Sequence, residues 1–199
     1  MHCTATVEPG VPGFKKGSGE GWVTAEYAML PRATLERTPR ERNGPGGRTQ
    51  EIQRLIGRSL RACMSTMAFG EFTIRVDCDV LQADGGTRTA GITGGCVALA
   101  DACQWLAEKT QIKSPFGRLV SAISVGIVDR EIRVDLAYLE DRDAGVDANV
   151  VMLEPAQFVE VQGTGEHGTF SRGELGTLLD LAERSCAELF AAQRRTLGW

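Results

Sequence analysis

Several features that mark other protein classes are missing from this chain of 199 residues. No apolar run is as long as a membrane span, and the N-terminus carries no hydrophobic block of the signal-peptide kind. A cytoplasmic location is therefore expected. The sequence also has no repeat of solenoid period, no low-complexity tract and no break in composition. We therefore expect one large α/β domain over residues 1–199.

Paired cysteines and clustered metal ligands are also missing. The six cysteines contain no Cys-x-x-Cys spacing, and most of them fall on apolar faces. This pattern predicts small buried side chains in a reducing compartment. The two histidines, His2 and His167, have no cysteine or second histidine at ligand spacing, which argues against a zinc site.

The chain has no overall excess of positive charge. Its net charge of -4 argues against a protein that coats nucleic acid without specificity, because such affinity comes from neutralising many phosphates. Residues 32–61 nevertheless contain eight arginines and three glutamates, a local charge of +5. Arginine suits recognition of a phosphate backbone. The alternative is a solvated, salt-bridged helix face with its leading loop.

The turn at residues 84–89, with the sequence Asp-Gly-Gly-Thr-Arg-Thr, is the most informative feature present. It follows a strictly alternating strand pattern at residues 72–80 and precedes an apolar stripe at helical spacing from Ile92 to Leu106. Paired glycines let the backbone approach a ligand, the first helical turn offers unpaired N–H groups, and Arg88 adds a planar fork for oxygens. The turn therefore predicts a phosphate site.

A second turn of similar composition lies upstream. Gly46-Gly47-Arg48-Thr49 opens a helix that carries apolar residues from Ile52 to Cys63 on one side. Two glycine-arginine turns could thus face one oxyanion. The alternative is plain turn chemistry, with Arg48 and Arg88 paired to surface carboxylates.

The rest of the chain predicts further strands and one long terminal helix. Strands are predicted at residues 3–8, 22–27, 119–128, 131–139, 148–153 and 158–162. Residues 32–47 are expected to be irregular, because three prolines and many arginines occur in or next to them. Ser171 and Glu174 form a capping box at the start of the terminal helix.

Carboxylates crowd the stretch from Glu140 to Asp147. Closely spaced carboxylates repel one another, and a divalent cation relieves that repulsion, with Mg²⁺ the natural candidate. One carboxyl could instead stay protonated and act as a general acid. The plain alternative is an acidic hairpin loop. Combined with the anion turns, the cluster completes the set of groups that phosphoryl chemistry needs.

Three long segments, residues 48–61, 77–90 and 158–164, resemble bacterial ribonuclease PH, and the resemblance runs from Cys3 to the terminal helix. It implies an α+β two-layer fold of the ribosomal protein S5 domain 2-like type, lacking its first strands. The implied activity is that of a phosphate-dependent nucleotidyltransferase that trims the 3′ ends of tRNA precursors. Inorganic phosphate attacks the terminal phosphodiester and releases a nucleoside diphosphate. The family assembles as a hexamer, a trimer of dimers.

The resemblance also assigns site residues. The family's phosphate-binding residues fall on Arg48, Gly86, Thr87 and Arg88. Its paired catalytic aspartates, which would hold Mg²⁺ or protonate the leaving oxygen, fall on Asp141 and Asp147. Its basic loop for subunit contact and for gripping RNA falls on Arg32, Arg37 and Arg40.

One departure from the family concerns the N-terminus. Family members begin with an additional segment that supplies two strands, and this chain begins where the second strand is ending, so an open sheet edge is expected. Either the true start lies upstream or the subunit is shortened. The loop at residues 40–47 also looks short. Three functions remain open: an active phosphorolytic ribonuclease, a catalytically silent ring subunit or RNA-binding scaffold, and a small-molecule phosphotransferase.

Overall fold

A computed structural model describes residues 1–199, which form two β-sheets and the helices that pack on them. The strands are β1 (His2–Pro9), β2 (Trp22–Met29), β3 (Phe72–Val80), β4 (Val120–Val128), β5 (Glu131–Val134), β6 (Val146–Leu153) and β7 (Gln157–Thr164). The helices are α1 (Gly47–Ala62), α2 (Thr87–Thr110), α3 (Tyr138–Asp143) and α4 (Arg172–Leu197). A short 3-10 helix spans Gly13–Lys15. None of the helices is both long and apolar enough to cross a membrane.

The first sheet has the strand order β1-β3-β2, and the second has the order β5-β4-β6-β7. β1 pairs antiparallel with β3, whereas β2 pairs parallel with it. The second sheet is antiparallel throughout. β1 and β2 are the two edge strands of the first sheet.

One hydrophobic core runs through both sheets. A cluster of 35 buried residues joins β2, β3, β4 and β6 to α1, α2 and α4. Alternation places Ile74 and Val76 inside, while Arg75 and Asp77 stay partly exposed on the other face of β3. The apolar stripe of α2 is buried from Ile92 to Leu106, as its spacing predicted. All six cysteines are free, and only Cys3 is not fully buried.

The structure corrects the sequence reading of residues 131–147. The strand predicted to reach residue 139 ends at Val134, because Asp135 adopts a left-handed conformation with φ of 57°. Leu136 is buried outside any strand, and α3 follows. The alternative of an acidic hairpin loop is therefore wrong. Asp147 does not lie in a turn; it is in β6, opposite Gly126 of β4.

Candidate active site

The first turn of α2 presents free backbone donors. Gly86 precedes the helix in a left-handed conformation with φ of 62°, which glycine adopts without strain. Its carbonyl accepts the Ala90 N–H at 3.0 Å and the Thr89 hydroxyl at 2.8 Å. None of the four N–H groups of residues 86–89 donates a hydrogen bond within the chain. These donors, at the positive end of the helix dipole, suit an anion.

The turn before α2 is held against the residues that lead into α3. A Cβ atom at Gly85 would lie 1.6 Å from the carbonyl oxygen of Leu136, so only glycine permits this approach. The carboxylate of Asp84 accepts the backbone N–H of Tyr138 at 2.8 Å. These contacts bring the predicted phosphate turn next to the predicted acidic residues, which are distant in sequence.

The two predicted clamp arginines have different surroundings. Arg88 is 20% exposed and forms an ion pair with Glu51, with 3.3 Å between Nη1 and Oε1. Arg48 is exposed and forms no ion pair within the chain. The alternative of pairing to surface carboxylates thus applies to Arg88 alone.

The start of α1 differs from the expected second phosphate turn. The carboxylate of Glu41 accepts the Gly46 N–H at 3.1 Å and the Thr49 hydroxyl at 3.0 Å. A side chain of the protein therefore already takes two donors at this helix end, a stabilising arrangement near the positive dipole. The α1 turn supplies Arg48, and Glu41 already takes its Gly46 N–H and Thr49 hydroxyl, whereas the four N–H groups at residues 86–89 have no partner within the chain.

Four carboxylates between residues 140 and 147 separate into two kinds. Glu140 accepts from Arg133 at 2.6 Å and from the Ala137 N–H at 3.0 Å. Asp143 pairs with Arg142 at 2.7 Å. The carboxylates of Asp141 and Asp147 accept no hydrogen bond within the chain. The two acids without a hydrogen-bond partner, called the uncommitted carboxylates below, are the same two that the resemblance assigned as catalytic aspartates.

Asp147 has the most perturbed carboxyl of the site. Burial, together with the negative charge of Asp141, raises the pKa of Asp147 to about 6, although Arg88 and Arg48 oppose this rise. The Oδ1 atom is buried without a hydrogen-bond partner. The charges of Arg88, Arg48 and Asp141 therefore all act on the carboxyl of Asp147.

A divalent cation fits the chemistry of this acid pair. An orphaned buried oxygen of Asp147 and the free carboxylate of Asp141 are hard oxygen ligands, of the number that Mg²⁺ commonly takes from protein. The chain has no group of three or more His, Cys, Asp or Glu side chains arranged to hold a metal. Water and phosphate oxygens would have to complete the coordination.

The basic segment at residues 32–61 is mostly free of ion pairs. Of its eight arginines, only Arg58 contacts a carboxylate, that of Glu160. Arg32 donates to the Leu35 carbonyl at 2.5 Å, whereas the side chains of Arg37 and Arg40 are exposed and make no hydrogen bond. The arginines of the segment are therefore mostly solvated, as the alternative had it, but not salt-bridged, apart from Arg58. No hydrogen bond or ion pair joins these loop arginines to the acid pair.

Sequence reasoning missed several residues of the site. Tyr27 of β2 lies 2.8 Å from the hydroxyl of Thr87, and its only sequence signal is its place on the inward face with Val23 and Ala25. Glu51 is three positions from Arg48, which would suggest pairing within one helix, yet it pairs with Arg88. Glu166 adds negative charge near Asp147 from the loop after β7.

Comparison with known proteins assigns the family. Residues 1–103 match the model described as the 3′ exoribonuclease family, domain 1, and residues 118–185 match domain 2 of that family. The chain is 59% identical over 201 residues to ribonuclease PH of Mycobacterium sp. (strain KMS), covering 99% of this chain and 77% of that protein. Identity is also 59% to ribonuclease PH of Corynebacterium glutamicum (strain R), covering 100% of this chain and 82% of that protein.

Solved structures with similar folds share much less sequence with the chain. The crystal structure of rice (Oryza sativa) Rrp46 has a TM-score of 0.74 at 18% identity, covering 99% of this chain and 84% of that chain. The Archaeoglobus fulgidus exosome with RNA bound to the active site has a TM-score of 0.76 at 18% identity, covering 94% and 76%. These two confirm the two-layer α/β fold. On the two domain matches and the identity over nearly its whole length, the chain belongs to the 3′ exoribonuclease family, with ribonuclease PH proteins among its relatives.

Proposed function

We propose that this chain is a phosphorolytic 3′-to-5′ exoribonuclease that trims tRNA precursors. The observation that carries the proposal is the set of free N–H groups at residues 86–89, which lies beside Arg88 and two uncommitted carboxylates. A phosphate held there would face the acid pair. These donors favour phosphorolysis over hydrolysis, because they favour a multiply charged oxyanion, rather than water, as the attacking group.

The phosphate would be bound and oriented by backbone and side-chain donors together. The N–H groups of Gly86 and Thr87 would contact its oxygens, and Arg88 and Arg48 would neutralise its charge. One phosphate oxygen then attacks the phosphorus of the terminal phosphodiester. The bond from that phosphorus to the 3′ oxygen of the preceding nucleotide breaks. The product is a nucleoside diphosphate whose outer phosphorus comes from the free phosphate.

The leaving 3′ oxygen needs a proton, and Asp147 is the residue that would supply it. Its pKa of about 6 means that a substantial fraction of the carboxyl is protonated in weakly acidic solution, whereas an ordinary aspartic acid is ionised there. Asp141 keeps this proton in place through its negative charge. Arg88 and Arg48, which oppose the rise, couple the acid to the phosphate site.

Mg²⁺ is the metal that we propose for the pair formed by Asp141 and Asp147. When bound, it would neutralise charge on the phosphate oxygens. Asp147 would then be ionised as a ligand, so its role as a metal ligand and its role as an acid exclude each other at any one moment. The pH dependence of the reaction separates the two roles.

The partners that we propose are structured RNA 3′ ends and further copies of the chain. The arginines of the loop between β2 and α1, Arg32, Arg37 and Arg40, are candidates for gripping the RNA body or for subunit contact. The proposed assembly is a hexamer, a trimer of dimers, acting in the cytoplasm on tRNA and rRNA precursors. It follows the resemblance to ribonuclease PH, and the mass of the purified chain in solution tests it.

The experiment that tests the function uses a tRNA with a 3′ extension and a matched unstructured RNA of the same 3′ sequence. We expect shortening of the tRNA only when phosphate is present, with nucleoside diphosphates as products and slower trimming of the unstructured RNA. Binding of both RNAs without product would instead indicate the silent scaffold. Equal rates on both RNAs would remove the preference for tRNA and leave the chemistry intact.

A further inference from the structure

Tyr27 is a buried residue whose hydroxyl contacts the site only through Thr87. Tyr27 is 4% exposed, and its hydroxyl oxygen lies 2.8 Å from Oγ1 of Thr87, 60 positions away in sequence. No other hydrogen-bond partner is within reach of either hydroxyl in the chain. Thr87 is half-buried and opens α2, among the free N–H groups described above.

The direction of this hydrogen bond follows from burial. Each hydroxyl has one proton to donate. If Thr87 donated to Tyr27, the proton of the tyrosine hydroxyl would have no acceptor within the chain, and an unsatisfied donor on a buried residue is unfavourable. The contact itself allows either hydroxyl to donate, and the burial of Tyr27 favours the arrangement in which Tyr27 donates and Thr87 accepts. The proton of Thr87 is then left free to point out of the protein.

We propose that Tyr27 is a positioning residue that sets the Thr87 hydroxyl as a donor to the phosphate. Tyr27 itself does not touch the phosphate in this arrangement. Its hydroxyl occupies the acceptor side of Thr87 Oγ1, so that the threonine side chain keeps one rotamer and one donor direction. The inference rests on the proposed function, because it takes phosphate to be the ligand of the α2 turn.

Removal of the tyrosine hydroxyl should weaken phosphate binding more than turnover. In Tyr27→Phe, the Thr87 hydroxyl can rotate, and the binding free energy lost for phosphate corresponds to about one neutral hydrogen bond. We expect the KM for phosphate to rise about fivefold, while kcat at saturating phosphate stays within about twofold of the wild type. Thr73→Val is the control, since it removes a buried residue's hydroxyl that donates to the Gly10 carbonyl at 2.8 Å, at the opposite end of β3 from the α2 turn.

A double-mutant cycle separates this role from a merely structural one. Thr87→Val removes the hydroxyl and keeps the branched shape, and Thr87→Ser retains the hydroxyl. We expect Tyr27→Phe to raise the KM in the wild type and in Thr87→Ser, and to add nothing in Thr87→Val. An equal rise in the Thr87→Val background would overturn the proposal, because Tyr27 would then act on the fold or through another group.

A binding measurement keeps the test independent of catalysis. Inorganic phosphate should raise the Tm of the wild-type chain, and Tyr27→Phe should reduce this rise while unfolding normally without phosphate. A full phosphate-dependent rise of Tm in Tyr27→Phe contradicts the positioning role, whether or not RNA is cleaved. If the wild-type chain shows no phosphate-dependent trimming of RNA, the proposed function is contradicted instead. The failure of the positioning role and the failure of the proposed function are therefore distinguishable.

Discussion

The carboxylate of Asp84 accepts the backbone N–H of Tyr138 at 2.8 Å, although the two residues are 54 positions apart. Asp84 precedes the α2 turn, and Tyr138 opens α3, which carries Asp141. With the close approach of Gly85 to Leu136, this hydrogen bond holds the phosphate turn and the acid pair as one unit. Catalysis depends on such fixed geometry.

Asp84→Ala is expected to reduce turnover without removing any group that contacts phosphate. The Tyr138 N–H loses its acceptor, so α3 is held less firmly against the turn. We expect kcat to fall on the order of tenfold, with a loss of about 1 kcal/mol in the free energy of unfolding. Asp84→Asn keeps an acceptor oxygen and should retain most of the rate. Equal rates in the alanine variant and the wild type would show that the contact does not position the acids.

Arg88→Ala should strongly reduce phosphorolysis and largely spare RNA binding. The variant loses a charged donor to phosphate, and we expect kcat/KM for phosphate to fall on the order of 100-fold. Arg88→Lys keeps the charge without the planar fork, so its kcat/KM for phosphate should lie between those of the wild type and Arg88→Ala. Arg75→Ala is the control, since Arg75 pairs with Glu26 at 2.7 Å on another surface. Wild-type kinetics in Arg88→Ala would remove its role in binding phosphate.

Asp147→Asn should stabilise the chain and inactivate it. A folded-state pKa raised from 3.8 to about 6 means that native Asp147 keeps a proton that the unfolded chain has already lost. The free energy of unfolding therefore falls as pH rises from about 4 to 6, and the loss persists above that range. Asparagine carries no ionisable proton at this position, so its replacement of Asp147 removes this pH-dependent loss of unfolding free energy.

Denaturant unfolding at two pH values measures the effect. At about pH 8 we expect Asp147→Asn to exceed the wild type by about 1–2 kcal/mol, after allowance for solvent screening, and near pH 3.5 by about zero. Addition of Mg²⁺ at the higher pH should raise the Tm of the wild type and leave the variant unchanged. Equal stability of the two proteins at both pH values would contradict the buried position of this carboxyl.

The loop arginines should hold RNA through its phosphates. Arg37→Ala/Arg40→Ala removes two exposed charges, and the slope of log affinity against log salt should become shallower by about 1.4, or about 0.7 for each lost contact. The control is Arg172→Ala/Arg184→Ala, which removes two exposed arginines of α4 without ion pairs. If the salt slope of RNA binding does not change in Arg37→Ala/Arg40→Ala and the mass of this variant's assembly in solution drops, the loop serves subunit contact instead.

Elements with a strong local pattern were predictable from the sequence. The alternation of β3 and the helical spacing of α2 need only neighbouring residues. The capping box at α4 is likewise local: Glu174 N–H donates to Ser171 Oγ at 3.2 Å, and Ser171 N–H donates to the Glu174 carboxylate at 2.7 Å. These predictions are confirmed.

The sequence prediction failed where distant contacts decide the conformation. Leu136 continues the alternation of β5, yet its N–H donates to the side chain of Ser124 at 3.1 Å and the chain leaves the sheet. The contact between Tyr27 and Thr87 has no local signal at all. Which acids of residues 140–147 remain free also depends on partners such as Arg133, which only the folded chain brings near.

The most direct test of the central claim follows the phosphorus atom of free phosphate. The purified chain is incubated with Mg²⁺, radiolabelled inorganic phosphate and an unlabelled tRNA that carries a 3′ extension, and the released nucleotides are separated. We expect all of the label in the products to be found in the outer phosphate of nucleoside diphosphates. Release of unlabelled nucleoside monophosphates would contradict it, because water rather than bound phosphate would then be the attacking group.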